Sequence, residues 1–434
     1  MFKKQNLGIL LFIILTIIPV IIWIIYIPLA GRLSDYGEIT HSLGQLTGLV
    51  GMTLFALTFI LSTRLKILEK YFGSMDKVYA LHAVIGGTAF ILLLSHPIFL
   101  VLKFIPDNVT QAMVYLLPSS SLSVNLGIVA LLLMIGLIAT TLYIQIKYSY
   151  WKLSHKFLGL TFIIAIFHIF LVTTDISRSV LLRNYMILIC AIGVSSFSYT
   201  TFIKRFTSEK YSYTVSSIEH KSNNTITINL KPNERSIEFI PGQFIFIRFF
   251  QQGISNEQHP FSVASSPKKH EIRLVIKYLG DFTKDLKNLK AGTLAKIEGP
   301  FGRFNYNNYS DKSQVWIAGG VGITPYLSMA ENIEINGKLE NNITLYYCFK
   351  SHEDSIYLEK FEDISNKIKN FDFIAFCSDE KGFLDADHIL KDPDDKDKIF
   401  FLCGPPPMMN SLKRQLINKG IPVKNIIMED FSFK

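Results

Sequence analysis

The amino-acid sequence predicts a six-helix transmembrane bundle followed by a small β-barrel domain and an α/β Rossmann-like domain. Three observations predict it. Six long apolar runs fall in roughly the first 200 residues. Histidines recur as pairs on the third and fifth of those runs. Beyond Lys204–Arg205 the pattern changes to short β-rich segments, then to strands and helices alternating around glycine-rich turns.

The apolar runs come first. Of 434 residues, 49% are hydrophobic and only 18% charged, less charge than a soluble chain of this size carries. The runs are Leu7–Leu29, Ile39–Ser62, Val78–Val101, Val124–Ile144, Lys156–Val172 and Tyr185–Ile203. Most reach the ~20 residues a helix needs to cross a bilayer, and the fifth needs its flanks. The first is too long for the apolar core of a signal peptide and reads as an anchor.

Lys and Arg bias gives the orientation. With the N-terminus inside, the inner segments carry Lys3, Lys4, Arg64, Lys66, Lys70, Lys77, Lys147, Lys152, Lys156, Lys204 and Arg205. The outer ones carry only Arg32, Lys103, Arg178 and Arg183. The expectation is a multi-pass plasma-membrane protein with its N-terminus and C-terminal half in the cytoplasm. Part of the net charge of +9 is therefore a topology signal. No basic stripe interleaved with aromatics points to nucleic acid. None of Cys190, Cys348, Cys377 and Cys403 forms a C-x-x-C pair, so neither an iron–sulfur cluster nor a zinc site is indicated.

The histidines in the membrane runs are His82 and His96 on the third, His155 and His168 on the fifth. Ionisable groups inside a bilayer are costly and usually functional. Fourteen residues span ~21 Å of helix and thirteen ~20 Å, so the pairs match in depth. His82 can then face His155 near the inner surface and His96 can face His168 near the outer one, an arrangement that suits the axial ligands of two haem irons stacked along the membrane normal. Gly86 and Gly159, each four residues past a histidine, are expected to give a macrocycle room. Thirteen residues at ~100° each leave His155 and His168 ~140° apart on a straight helix. A π-bulge, a kink or a frayed helix start at His155 would repair this.

The β-rich stretches "YSYTVSSI", "TITINL", "QFIFIRFF", "EIRLVIKYL" and "TLAKIEG" suggest a small antiparallel barrel. Among them stand "PGQF" (241–244), "HPFSVASSP" (259–267), "KYLGDFT" (277–283) and "EGPFG" (298–302). In this order they resemble the flavin-binding barrel of ferredoxin–NADP reductases. The resemblance implies that His259, Pro260, Phe261 and Ser262 run along a flavin, and that Lys277, Gly280 and Thr283 serve its ribityl and pyrophosphate.

From about Asp311, "VWIAGGVGITP" is an apolar strand feeding a glycine-rich turn and a helix, a ready phosphate site. "IFFLCGPPPMM" echoes it. The pair resembles the nucleotide lobe of the same reductases. That implies Gly319, Gly320, Gly322, Thr324 and Pro325 at a pyrophosphate, and Cys403, Gly404 and Pro405 near a nicotinamide. Lys350 stands where a basic group would meet a 2′-phosphate. Reductases of this type often end in an aromatic ring over the flavin, so the resemblance implies Phe431, then Phe433, of the tail "MEDFSFK" in that role.

Taken together, the chain resembles the NADPH oxidase and ferric reductase family. The resemblance implies a haem domain (1–206), an FAD-binding domain (207–308) and an NAD(P)H-binding domain (309–434). It implies an enzyme holding two haem b and FAD that passes electrons from NADPH, or NADH, to an external acceptor. Dioxygen, giving superoxide, comes first as the acceptor. A ferric chelate is the alternative, and a relay to a quinone or protein partner the third reading. No obligatory protein partner is evident.

Overall fold

The computed structural model describes residues 6–105, 107–207, 211–222, 224–391 and 393–429. The chain divides into two compact units, Met1–Thr207 and Ser208–Lys434.

Among the described residues, six helices of the first unit are long and apolar enough to cross a membrane: α1 (Leu7–Tyr26), α2 (Tyr36–Ser62), α3 (Met75–Leu102), α4 (Leu122–Tyr143), α5 (Tyr148–Leu171) and α6 (Val180–Ile203). Their outward faces carry exposed large apolar side chains, among them Ile91, Leu132 and Leu181. Such faces suit hydrocarbon and not water. α2 is the most enclosed of the six. An aromatic cluster holds it to α5 and α6: Phe162, fully buried, packs on Phe55 at 5.1 Å and Phe59 at 5.0 Å, and Phe59 meets Phe197 at 5.6 Å.

The fifth helix begins at Tyr148, earlier than its apolar run, because "YSYW" adds an amphipathic turn. It breaks at Phe157, between segments Tyr148–Lys156 and Leu158–Leu171, where the Phe157 N–H bonds to Ser154 O at 3.0 Å. The division falls between the two histidines, two residues after His155.

The second unit holds two sheets. The first contains β1 (Tyr211–Ser222), β2 (Thr225–Pro232), β3 (Phe244–Phe250), β4 (His259–Ser262), β5 (Ile272–Lys277) and β6 (Leu294–Phe301), in the order β4-β3-β6-β1-β2-β5. This differs from the closed barrel the strand pattern suggests. The sheet is open, with β4 and β5 as its ends; the isolated bridge Val263↔Leu274 and a bond from Ala264 N–H to Arg273 O at 2.8 Å join the chain after β4 to β5. The four-residue β4 is too short to carry a full closing ladder.

The other sheet is parallel throughout: β7 (Gln314–Gly319), β8 (Ile343–Phe349), β9 (Phe371–Cys377), β10 (Ile399–Cys403) and β11 (Ile426–Glu429), in the order β11-β10-β7-β8-β9. All residues of the central β7 are buried, as a strand covered on both faces requires. Its helices include α7 (Thr324–Asn336), α8 (Leu358–Lys367) and α9 (Pro406–Asn418).

One buried carboxylate ties the two sheets' domains together. Glu331 of α7, its side chain 3% exposed, accepts from Arg273 Nη1 at 2.6 Å, on β5, and Lys269 Nζ at 2.8 Å, just before it. The Ser328 hydroxyl adds a bond to Ser265 O at 2.7 Å. Burial alone raises the Glu331 pKa, but Arg273 and Lys269 outweigh it and hold the carboxyl below its ordinary 4.5. A depressed carboxyl contributes stability above its unfolded value, and that contribution disappears as pH falls through the folded value. Glu331→Ala is expected to cost about 3 kcal/mol at pH 7, the low end for breaking a buried pair because both cations are partly exposed. Denaturant melts should show the gap to wild type narrowing below pH 4.5, where the wild-type carboxylate protonates.

Candidate functional site

In the first unit the rings of His82 and His155 stand 6.1 Å apart between centroids, and those of His96 and His168 stand 6.4 Å apart. A metal held between two imidazoles needs two bonds of about 2 Å each. Adding the step from nitrogen to ring centre on both sides brings the centroids to about 6 Å, so both separations fit one ion.

The backbone selects which nitrogen faces inward. His82 Nδ1 lies 3.0 Å from Thr58 O, His96 Nδ1 2.7 Å from Gly44 O, and His168 Nδ1 2.7 Å from Ser123 O. A carbonyl oxygen only accepts, so each Nδ1 carries the hydrogen and each Nε2 keeps a free lone pair. Metal-ligating histidines are commonly oriented in this way. His155 is held differently. Its buried Nδ1 has no hydrogen-bond partner among the described residues. Its ring instead stacks on Trp151, 5.4 Å away and within 9° of parallel, and Trp151 is tied to Thr141 O at 3.2 Å.

A cavity of about 110 Å³ opens beside the second pair, lined by His96, His168, Gly48, Met52, Leu93 and Met186 among others. Glycines make room for its histidines. A Cβ on Gly48 would sit 2.9 Å from His96 Nδ1, and one on Gly127 2.8 Å from His168 Nδ1. The expected glycines behave unequally. Gly86 has open space, with nothing nearer a Cβ than Thr58 Cγ2 at 3.8 Å. Gly159 instead receives the Phe197 ring, 2.1 Å from the place of a Cβ, so it serves helix packing and not the gap between histidines.

A buried polar cluster borders this cavity. Arg32, 4% exposed, pairs with Asp175 at 2.9 Å, donates to Trp23 O, Ile27 O and Gln45 Oε1, and lies 3.7 Å over the Trp23 ring. In the sequence Arg32 reads only as an outer-segment charge. Its acidic partner lies 143 residues on, beyond any local pattern.

In the second unit, His259–Ser262 form the edge strand β4, paired with β3 from Ile247↔His259 to Phe244↔Ser262. His259 stacks on Phe282 at 3.7 Å. Lys277 closes β5. The Thr283 hydroxyl accepts from the N–H groups of Leu279 at 2.9 Å and Gly280 at 3.0 Å, so it organises its own turn.

The two glycine motifs meet backbone to backbone. Cys403 pairs with Ala318 across β10 and β7. A Cβ on Gly322 would lie 2.3 Å from Cys403 O and 2.8 Å from Gly404 Cα, and one on Gly319 2.8 Å from Pro405 Cδ. Gly320, at φ +54°, has nothing within 4 Å of its Cβ position. It therefore leaves open the turn that leads into α7, where Thr324 bonds to Val321 O at 2.7 Å and Pro325 fills the first helical turn. Such a turn at the carboxyl end of a parallel strand is where doubly wound sheets receive ligands. Lys350, exposed, follows β8 at the same end of the sheet.

Glu429, 2% exposed, is a residue the sequence reading missed. It sits opposite Cys403 on β11, and a Cβ on Gly302 would come 2.8 Å from its Oε1. Its only local sign is an acid at the end of an apolar strand. Phe431 and Phe433 lie outside the described residues.

Comparisons with known proteins agree with this division. Residues 47–166 match the ferric reductase like transmembrane component, 210–323 an FAD-binding domain and 316–414 an oxidoreductase NAD-binding domain. The flavohemoprotein of Candida albicans is 32% identical over 199 residues, covering 42% of this chain and 49% of that protein. The toluate 1,2-dioxygenase electron transfer component of Pseudomonas putida is 27% identical over 232 residues, 51% of this chain and 68% of its own. The chain thus spans about half the length of the flavohemoprotein it matches. The crystal structure of flavohemoglobin from Malassezia yamatoensis aligns over 91% of this chain and 98% of that one, with a TM-score of 0.51 at 16% identity, a likeness of fold alone. A ferric-reductase-like transmembrane component followed by FAD-binding and NAD-binding oxidoreductase domains is the order in which these three models match the chain, and that order is similar to the arrangement of the NADPH oxidase and ferric reductase family.

Proposed function

We propose that the protein moves electrons from cytosolic NADPH through FAD and two bis-histidine haem b groups to dioxygen on the far side of the plasma membrane, releasing superoxide. The observation that carries this reading is the pair of facing imidazoles repeated at two levels of one bundle, 6.1 and 6.4 Å apart. Flavin supplies the conversion of a hydride into single electrons, and haem a one-electron carrier that needs no water.

The chain's own groups do the holding. His82 with His155, and His96 with His168, would be the axial ligands. His259–Ser262 would line the flavin, with Lys277, Gly280 and Thr283 toward its ribityl and pyrophosphate. Gly319, Gly320, Gly322, Thr324 and Pro325 would receive the nucleotide pyrophosphate on free N–H groups and the start of α7. Cys403, Gly404 and Pro405 would border the nicotinamide, and Lys350 the 2′-phosphate. The work divides over residues 1–206 for haem, 207–308 for FAD and 309–434 for nucleotide. The Lys and Arg bias supports a cytoplasmic N-terminus and cytoplasmic last two domains.

The match of residues 47–166 to a ferric reductase like component keeps a second reading in play, a transmembrane metal reductase. Purified protein given NADPH in air separates the two. Superoxide production that dismutase abolishes is the expected result. Reduction of chelated ferric iron that dismutase leaves untouched, with no superoxide formed, would replace the first reading by the second.

A further inference from the structure

We propose that His352, Cys377 and Glu380 form a binding site for a thiophilic divalent cation of the zinc class, at the carboxyl edge of the parallel sheet. Phe349 and Cys377 are paired neighbours at the ends of β8 and β9, so the two segments leave the sheet side by side. The first continues into the turn His352–Asp354 and the second into the helical turn Ser378–Lys381. Lys350 O pins them together, accepting from the Asp379 N–H at 3.1 Å and from Cys377 Sγ at 3.2 Å.

That junction brings three different donors to one place. His352 Nε2 stands 3.1 Å from Glu380 Oε1, and one ligand atom each from His352, Cys377 and Glu380 all lie within 4.8 Å of one another. Bonds of about 2.0–2.3 Å in a tetrahedral site separate the ligand atoms by roughly 3.3–3.8 Å, so small side-chain rotations suffice. Sulfur beside imidazole and carboxylate suits zinc and disfavours magnesium or calcium. The Cys377 end is buried, whereas the His352 and Glu380 side chains are 66% and 55% exposed. The ion therefore has an entry path and a place for a water as fourth ligand. On binding, the thiol proton goes to solvent and a metal–sulfur bond replaces the S–H bond to Lys350 O. Nothing in this site depends on the haem or flavin assignments.

Calorimetric titration of the full-length protein with Zn²⁺ tests it. One equivalent should bind to wild type and be lost in Cys377→Ser. Loss of a ligand by His352→Ala or Glu380→Gln should weaken binding at least about ten-fold, the scale on which even outer-shell partners act. Cys348→Ser should bind as wild type, since Cys348 is not among the three residues whose ligand atoms converge. Should Cys377→Ser fold poorly, the exposed Glu380→Gln carries the test alone. Zinc binding that both Cys377→Ser and Glu380→Gln leave unchanged would overturn the site.

Discussion

His96→Leu is expected to lower the haem content from two per chain to one and to stop delivery of electrons to an external acceptor. NADPH should still reduce the flavin at the wild-type rate. Leucine has no lone pair to offer a metal, yet it is close to imidazole in bulk. The packing of α3 against Gly44 and Gly48 of α2 should survive. The bond from Nδ1 to Gly44 O goes too, but that carbonyl lies within a continuous helix and keeps its helical partner. The damage is thus confined to the second pair. The first pair is held by other groups, Thr58 O at His82 and Trp151 at His155. Haem quantification by the pyridine haemochrome method, with stopped-flow flavin reduction, reads both halves of the outcome. Two haems per chain with normal delivery would mean that His96 and His168 are not partners on one metal.

Much of this site was legible in the sequence because its strongest signals are local. Fourteen residues between His82 and His96 place both rings on nearly one face of α3, and the rings do meet partners on one other helix. The thirteen-residue spacing on α5 left a π-bulge, a kink or a frayed start at His155 open, and the structure divides the helix into two segments at Phe157, between the two histidines. What sequence reading could not see lies between elements. Gly48 and Gly127 make room for rings that belong to other helices, and small residues in membrane helices carry no mark of which neighbour they admit. Gly159 fails the spacing argument for the same reason, since the Phe197 ring from α6 takes its space. Arg32 looks like a topology charge until Asp175 and Gln45 close around it. In the second unit the strand pattern was readable but closure was not. It depends on how far β4 extends, and past Ser262 the described residues add an isolated bridge at Val263 and a bond from Ala264 N–H to Arg273 O at 2.8 Å.

Gly322→Ala should produce the mirror image of the histidine variant. A single methyl at this position would lie 2.3 Å from Cys403 O and 2.6 Å from Cys403 C. Both are backbone atoms, so no side chain can swing aside to admit it. Relief requires the Gly320–Ile323 turn and the end of β10 to part, and those two backbones form the floor on which the nucleotide is proposed to rest. A displacement of about 1 Å in such a site costs on the order of 100-fold in rate, or about 3 kcal/mol of transition-state stabilisation. Flavin reduction by NADPH should fall by that factor. Haem content should remain at two per chain, because the histidines belong to a separate compact unit. Dithionite, which needs no nucleotide site, should still reduce the haems fully. Wild-type flavin reduction in Gly322→Ala would show that the turn does not hold the nucleotide. Loss of dithionite-reducible haem in the same variant would show instead that the two units do not fold independently.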